Sequence, residues 1–184
     1  KQNGKNRIQV YEGNIDEERR NKGTGYEQVA PTVYALVAAI DAKDSFTFQH
    51  STNVSQYAVL LAQKLGLPGD DIHTVKVAGL LHDIGKIGIP ESILKKAGKL
   101  TNEEYEIMKS HVQKSIEMIH YLPNMNYVIP AVVSHHERYD GKGYPRGLKG
   151  EEIPLLGRIL TVCDSFDAMI SKRSYKEALS VEYA

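Results

Sequence analysis

Apolar residues recur at three- and four-residue spacing along most of the chain, which is the period of one face of an α-helix. The clearest stretches are residues 33–40 and 54–65, and Gly66 is of the type that commonly ends a helix. Asp70 or Asp71 is the predicted cap of a third helix, which continues through Leu81. Strand-like alternation is nearly absent after residue 25, so we predict an all-α helical bundle.

Three further helices are predicted from the second half of the chain. The sequence Thr101-Asn102-Glu103-Glu104 is a capping box, and it opens one helix whose apolar positions extend to Ile116. Residues 127–137 and 155–171 give the other two helices.

The first 25 residues differ from the rest. They are polar and rich in glycine, and only residues 7–11 alternate as a strand would. We expect residues 1–25 to be the end of a preceding domain and a linker. Residues 26–184 are expected to form one domain that is cut at its C-terminal end.

The composition of the 184 residues excludes some classes of protein but does not indicate a function. Apolar residues make up 41% and charged residues 25%, and 23 basic residues balance 23 acidic ones. Such a chain lacks the basic stripe of a DNA-binding protein. The single cysteine, Cys163, excludes an intrachain disulfide and favours a reducing, cytoplasmic location. The longest apolar runs fall far short of the ~20 residues that span a membrane, so any anchor would lie outside this sequence.

His82 and Asp83 are the first candidate for chemistry. They follow an apolar helix end directly, and Gly85 comes two residues later. A carboxylate has two oxygens and can bridge two cations, while the adjacent imidazole ligates one of them. Lys86 lies one helical turn on and would reach an anion bound at such cations. A lone buried histidine, however, is more often a satisfied core residue than a ligand.

The number of histidines changes this balance. His73 and His120 fit surface or capping roles. Five others lie beside apolar helical segments, and burying them without partners would cost about 1–3 kcal/mol for each unpaired group. A shared metal centre removes that cost. Nitrogen and oxygen ligands suit Fe or Mn, and such a pair would activate water for hydrolysis of a phosphoester. The five are His50, His82, His111, His135 and His136.

Three phrases of the sequence resemble the HD-GYP subgroup of the HD phosphohydrolases. They are HDIGKIGIP (82–90), HHERYDGKGYP (135–145) and DSFDAMISKRSYKEA (164–178). The resemblance runs from about Asp44 to the C-terminus. It implies an α-helical phosphodiesterase of cyclic di-GMP that uses two divalent metal ions and produces linear pGpG, with further cleavage to GMP as an open question.

The resemblance also implies roles for single residues. Asp83 would be a bridging carboxylate and catalytic, and Lys86 would assist at the scissile phosphate. Helix geometry, rather than the resemblance, adds that neighbouring side chains diverge by ~100°, so the adjacent His135 and His136 would approach the metal pair from two directions. The implied metal ligands are His50, His82, Asp83, His111, His135, His136 and Asp164. The implied substrate-binding residues are Gly143, Tyr144, Asp167, Arg173 and Lys176.

One position departs from the family pattern. Members that bind a third metal carry a glutamate one turn before the first histidine, and here Phe46 stands in that place. A phenyl ring cannot ligate, so we expect two metals, which favours pGpG over GMP as the product.

Residues 1–8 resemble the closing strand of a GGDEF domain, a module that makes cyclic di-GMP. A GGDEF domain, in the same chain or another, is therefore an expected partner beside the substrate, as is a second copy of the chain. Neither DNA nor a direct membrane contact is expected.

Two other functions stay open at this point. One is a different HD-type hydrolase, acting on nucleoside triphosphates, on ppGpp or on a mixed cyclic dinucleotide. The GYP loop, residues 143–145, argues against the first two substrates. The other is a non-catalytic module that binds the nucleotide or a GGDEF partner.

Overall fold

The computed structural model of the chain describes residues 22–43, 47–171 and 178–184. The predicted strand, the linker and the GGDEF-like segment fall on residues 1–21, outside this part. Phe46, Arg173 and Lys176 lie outside it as well. The expected domain division at residue 25 stays a prediction.

The described residues form a bundle of α-helices, as predicted. Within these ranges, strand-type pairing is limited to an isolated backbone bridge between Asp140 and Lys149. The helices, in chain order, are α1 (Lys22–Lys43), α2 (Thr47–Lys64), α3 (Gly69–Leu81), α4 (Glu91–Leu94), α5 (Asn102–Lys109), α6 (His111–His120), α7 (Ile129–Val132) and α8 (Leu155–Ile170). Short 3-10 helices cover Ile84–Gly88, Asn126–Val128 and Gly150–Glu152.

Helix α3 lies at the centre of the bundle. Seven of its last eight residues are buried, so it packs on several sides at once. Small residues let α2 come close: a Cβ on Gly79 would lie 2.7 Å from the Cα of Ser55. Cys163 belongs to the same core, and burial raises the pKa of its thiol to about 11. The end of α3 is thereby fixed against its neighbours.

The ends of several helices correct the sequence predictions. Gly66, with a φ of 70°, follows α2 as expected. Helix α3 begins at Gly69, directly after Pro68, so neither Asp70 nor Asp71 caps it and both lie in its first turn. The carbonyl oxygen of Pro68 accepts the first hydrogen bonds, from the backbone N–H groups of Asp71 and Ile72, so the helix starts before either aspartate could cap it.

Two predicted helices are interrupted in the structure. Thr101 forms the expected capping box with Glu104, but the helix that it opens ends at Lys109 and α6 begins at His111. The helix predicted over residues 127–137 has α-helical geometry only from Ile129 to Val132, and residues 133–136 form a turn. In both places a histidine side chain bonds the backbone close to the interruption.

None of the helices in the described ranges combines the length and the hydropathy that a membrane span requires.

The close approach of α2 and α3 gives a stability prediction. Gly79→Ala forces a methyl group against the backbone at Ser55, so we expect the free energy of unfolding to fall by about 1–3 kcal/mol in chemical denaturation. Gly69→Ala is the control, because Gly69 is also helical and no atom lies within 4 Å of its added Cβ. Equal stability of the two variants would contradict this packing.

Candidate metal centre

Three histidines are fixed in the same way at the ends of helices. The Nδ1 atom of His82 lies 2.7 Å from the carbonyl oxygen three residues earlier in the chain. The corresponding distances are 2.7 Å for His111 and 2.6 Å for His135. A carbonyl oxygen can only accept a hydrogen bond, so Nδ1 carries the proton in each ring. Each Nε2 atom is therefore left with a free lone pair.

The three Nε2 atoms are buried and lack hydrogen-bond partners among the described residues. The Nε2 atom of His82 lies 3.3 Å from one oxygen of Asp83, and that of His111 lies 3.3 Å from the other. Because lone pairs and an ionised carboxylate are all acceptors, they cannot satisfy one another. Each group left in this state costs about 1–3 kcal/mol. Cations among them would satisfy these acceptors, so the donor set fits metal ions.

Burial favours the neutral form of His135 and His136, which is the form that binds a metal. It lowers the pKa of His135 well below the usual value and that of His136 to about 4, and nearby histidines add to both shifts. Burial alone would raise the pKa of Asp83, but the charge of Lys86 and the neighbouring histidines hold it well below its usual range. At neutral pH the site therefore presents the neutral imidazoles of His135 and His136 beside the ionised carboxylate of Asp83.

The candidate ligands fall into two groups that share Asp83. In one group, one ligand atom from each of Asp83, His111, His135 and His136 lies within 4.8 Å of all the others. In the second, the same holds for His50, His82 and Asp83. The adjacent histidines therefore belong to one group, rather than serving different parts of the centre. The expected divergence assumed a helix, and this segment is a turn.

His50 lies between two carboxylates from α8. Its Nδ1 atom is 2.7 Å from Asp167, and its Nε2 atom is 3.2 Å from Asp164. Burial opposes protonation of the ring, but these hydrogen bonds prevail and raise the pKa of His50 to about 9. Binding of a cation at Nε2 would displace a proton from this ring. Asp164, predicted as a ligand, therefore lies beside the second group.

Asp167 was expected to contact substrate, and the structure gives it other neighbours. Its carboxylate is 1% exposed and accepts hydrogen bonds from His50, from Asn53 at 2.9 Å and from Ser171 at 3.3 Å. A buried carboxylate behind a ligating histidine fixes the orientation and tautomer of the ring. The geometry favours that positioning role over a substrate contact.

The segment after α3 is fixed against α6. The backbone N–H of Gly85 donates to Ser115 Oγ at 2.8 Å, and this hydroxyl donates to the carbonyl of His82 at 2.9 Å. A Cβ on Gly85 would lie 2.0 Å from the carbonyl oxygen of His111, so only glycine fits. This contact brings the His82-Asp83 pair and His111 together.

Lys86 lies beside the carboxylate of Asp83, as its spacing from that residue predicts. Its Nζ atom is 2.5 Å from Asp83 Oδ2, and its side chain is 21% exposed. The ammonium group therefore lies between the buried cluster and solvent.

Glu137 organises the loop that follows the two histidines, a role that sequence analysis missed. Its carboxylate is 1% exposed and accepts hydrogen bonds from the backbone N–H groups of Arg146 at 2.8 Å and Leu148 at 2.9 Å. The Tyr144 ring stacks on His136, with centroids 4.7 Å apart. The only signal in the sequence is that Glu137 directly follows the two histidines.

The structure requires glycine at position 143 because of a close backbone contact, and not because of the expected contact with substrate. Gly143 was predicted to let substrate approach, but a Cβ there would lie 2.3–2.5 Å from backbone atoms of residues 136–138. The close approach is therefore between two parts of the loop. It allows the N–H of Tyr144 to donate to the carbonyl of His136 at 3.1 Å.

Comparison with protein families finds a match to the model described as HD domain over residues 35–184. The chain is 42% identical over 160 residues to the cyclic di-GMP phosphodiesterase response regulator RpfG of Xanthomonas campestris, covering 86% of this chain and 42% of that protein. It is 43% identical over 164 residues to a cyclic di-GMP phosphodiesterase of Thermotoga maritima, covering 88% and 45%.

A third relative is named for a different cyclic dinucleotide. It is the 3'3'-cGAMP-specific phosphodiesterase 2 of Vibrio cholerae, 41% identical over 147 residues, which cover 79% of this chain and 28% of that protein. The chain thus spans less than half the length of these relatives.

Among solved structures, the chain is similar to Bd1817, an HDG"Y"P protein from Bdellovibrio bacteriovorus. The TM-score is 0.58 at 21% identity, covering 85% of this chain and 53% of that one. This likeness concerns the fold alone.

The unpaired Nε2 atoms predict a stability gain from metal. When Mn²⁺ is added to chelator-treated protein, we expect the melting temperature to rise, because the ion binds the folded state. Asp83→Ala removes the carboxylate that both groups share and should reduce the shift, while the variant stays helical by circular dichroism. If divalent ions did not change the melting temperature of the wild-type protein, the fit of these residues to a metal would be contradicted.

Glu137 gives a separate prediction about the loop. Glu137→Ala leaves two backbone N–H groups without their acceptor, so amide hydrogen exchange at Arg146 and Leu148 should be at least about tenfold faster, equivalent to ~1.4 kcal/mol. Glu151→Ala is the control, since the Glu151 side chain is 83% exposed. Unchanged exchange in the Glu137 variant would show that the carboxylate does not hold the loop.

Proposed function

The chain belongs to the HD domain family, and from that premise we propose that it is a metal-dependent phosphodiesterase that hydrolyses cyclic di-GMP to linear pGpG. The observation that carries the proposal is the pair of candidate ligand groups that share Asp83. Two close metal ions are a recurrent arrangement for cleaving phosphoesters. Relatives named cyclic di-GMP phosphodiesterases support the choice of substrate.

The proposed cofactor is a pair of divalent ions, Fe or Mn. All the donors are imidazoles and carboxylates, and Cys163 lies in the core, which disfavours a thiolate-rich zinc site. When bound, such ions lower the pKa of a coordinated water and neutralise charge on the phosphoryl group. The proposed ligands are His50, His82, Asp83, His111, His135, His136 and Asp164.

Lys86 is proposed to act on the phosphate. Its ammonium group lies on the solvent side of Asp83, so it can donate to a phosphoryl or leaving oxygen that reaches the cluster. A charge already in place before the substrate arrives stabilises the transition state without reorganisation. Tyr144, stacked on His136, would line the same opening.

Other parts of the proposal rest on the resemblance. Arg173 and Lys176 would hold the second phosphate and the guanine side of the ligand. Phe46, in place of a ligating glutamate, favours two metals and hence pGpG as the end product. We also propose a cytoplasmic location and a GGDEF domain as a partner.

A second candidate substrate is 3'3'-cGAMP. The observation that favours it is the similarity to the Vibrio cholerae enzyme named for that nucleotide. Both molecules are cyclic dinucleotides with the same two phosphodiester linkages, so the metal chemistry would be common to both.

The proposal predicts the behaviour of the Lys86→Ala variant. Anaerobically purified protein with Mn²⁺ or Fe²⁺ should convert cyclic di-GMP to pGpG, followed by chromatography. Lys86→Ala should keep its bound metal and lose about 10²- to 10⁴-fold in kcat, because the ammonium acts in the transition state. Lys95→Ala is the control, since that side chain is 49% exposed and pairs with Glu91.

Two results would contradict this account. Wild-type protein that leaves both cyclic dinucleotides intact under reducing conditions with either metal would overturn the proposed function. Loss of metal from Lys86→Ala would overturn the role assigned to Lys86.

A further inference from the structure

Tyr105 and Lys109 lie on α5 at the outer side of Tyr144. The Tyr105 and Tyr144 rings meet edge to face, with centroids 6.3 Å apart and planes at 83°. The Nζ atom of Lys109 is 5.2 Å from the Tyr105 centroid and 5.7 Å from that of Tyr144. Since Tyr144 also stacks on His136, aromatic rings continue from the candidate metal centre to the surface.

Core packing does not account for these two side chains. Helix α5 has no buried residue, and Tyr105 is 47% exposed. The helix is held instead by its capping box and by an ion pair between Lys96 and Glu104. An aromatic ring exposed to this extent beside the candidate metal centre is available to stack on a flat ligand.

Lys109 is available as a donor to the same ligand. It forms an ion pair with Glu106 at 2.5 Å, but the Glu106 side chain is 69% exposed, and such surface pairs are weak. An ammonium group has three donors, so the pair with Glu106 leaves others free. The Lys109 side chain is itself 25% exposed.

Tyrosine and lysine together suit guanine better than adenine. Both purines stack on aromatic side chains. Guanine presents two adjacent acceptors, O6 and N7, which lysine recognises, whereas adenine has an amino group in place of O6.

We propose that Tyr105 and Lys109 form a guanine-binding rim beside the candidate metal centre, with Tyr105 stacking on the base and Lys109 donating to its O6 and N7 atoms. This inference rests on the proposed function, since it assigns the base-recognition residues of the same site. The rim binds one guanine of a cyclic dinucleotide while the phosphodiester reaches the metal ligands.

The proposed stacking of Tyr105 on guanine is tested by steady-state kinetics with two substrates. They are cyclic di-GMP and methyl 4-nitrophenyl phosphate, a diester that lacks a purine. Tyr105→Ala should raise KM for cyclic di-GMP about tenfold, the loss of one base stack, with kcat little changed. Tyr105→Phe keeps the ring and should restore the wild-type KM. Turnover of the purine-free diester should not change, which separates base binding from damage to the fold.

Tyr121→Ala is the matched control, because Tyr121 is also exposed, at 88%, and lies at the far end of α6. Its KM for cyclic di-GMP should equal that of wild type.

The lysine half is tested by base selectivity. Lys109→Ala should raise KM for cyclic di-GMP about tenfold. It should raise the Ki of cyclic di-AMP, measured as a competitive inhibitor, much less, because adenine keeps only the N7 acceptor and has an amino group in place of O6. If the Ki rises as much as the KM, Lys109 binds phosphate and the guanine assignment is wrong.

The outcomes separate the two proposals. If the wild-type protein hydrolyses cyclic di-GMP and Tyr105→Ala has the wild-type KM, or loses activity equally on both diesters, only the rim proposal fails. If the wild-type protein cleaves methyl 4-nitrophenyl phosphate but no cyclic dinucleotide, the proposed function fails and the rim proposal fails with it.

Discussion

The site depends on one hydrogen bond that occurs three times, from an imidazole Nδ1–H to a backbone carbonyl three residues earlier. Carbonyls in the last turn of a helix have no amide partner within the helix, so they are natural acceptors for a side chain that follows. Each bond fixes the tautomer of a histidine and orients its Nε2 lone pair. The unpaired carbonyls at the ends of α3, α5 and α7 thereby position three imidazole lone pairs around Asp83, divided between the two candidate ligand groups. This explains why ligands distant in the sequence share one geometry.

Buried carboxylates complete the arrangement in two different ways. Asp83 faces the lone pairs directly and is the group that both candidate ligand sets have in common. Asp167 and Glu137 instead position other parts of the site through hydrogen bonds. Asp167 holds the His50 ring, and Glu137 holds the loop that carries Tyr144. Each is about 1% exposed and accepts hydrogen bonds that keep its neighbours in position. Loss of either therefore changes the site without removing a ligand, which is the usual property of groups behind a metal centre.

The helical bundle was predictable because apolar residues recur with a helical period over α1, α2, α3 and α8. The three phrases that resemble the HD-GYP subgroup also indicate a family with an α-helical fold. The breaks between α5 and α6 and after α7 could not be predicted, because a histidine side chain that bonds a backbone carbonyl does not change the pattern of apolar residues. For the same reason, the joint placement of His135 and His136 could not be derived from a helical wheel. The role of Asp167 depends on side chains distant in the sequence, and that of Gly143 on backbone that folds back on it, and spacing encodes neither contact. Glu137 was missed because burial of a carboxylate inside a polar loop has no sequence signature.

The central claim is that the lone pairs around Asp83 hold two divalent ions. Anomalous scattering from crystals of protein purified without oxygen tests it most directly. The account predicts two peaks about 3.5–4 Å apart, both in contact with Asp83, one beside His111, His135 and His136 and the other beside His50 and His82. A single peak, peaks that do not contact Asp83, or no peak in protein that is folded and reduced would contradict it.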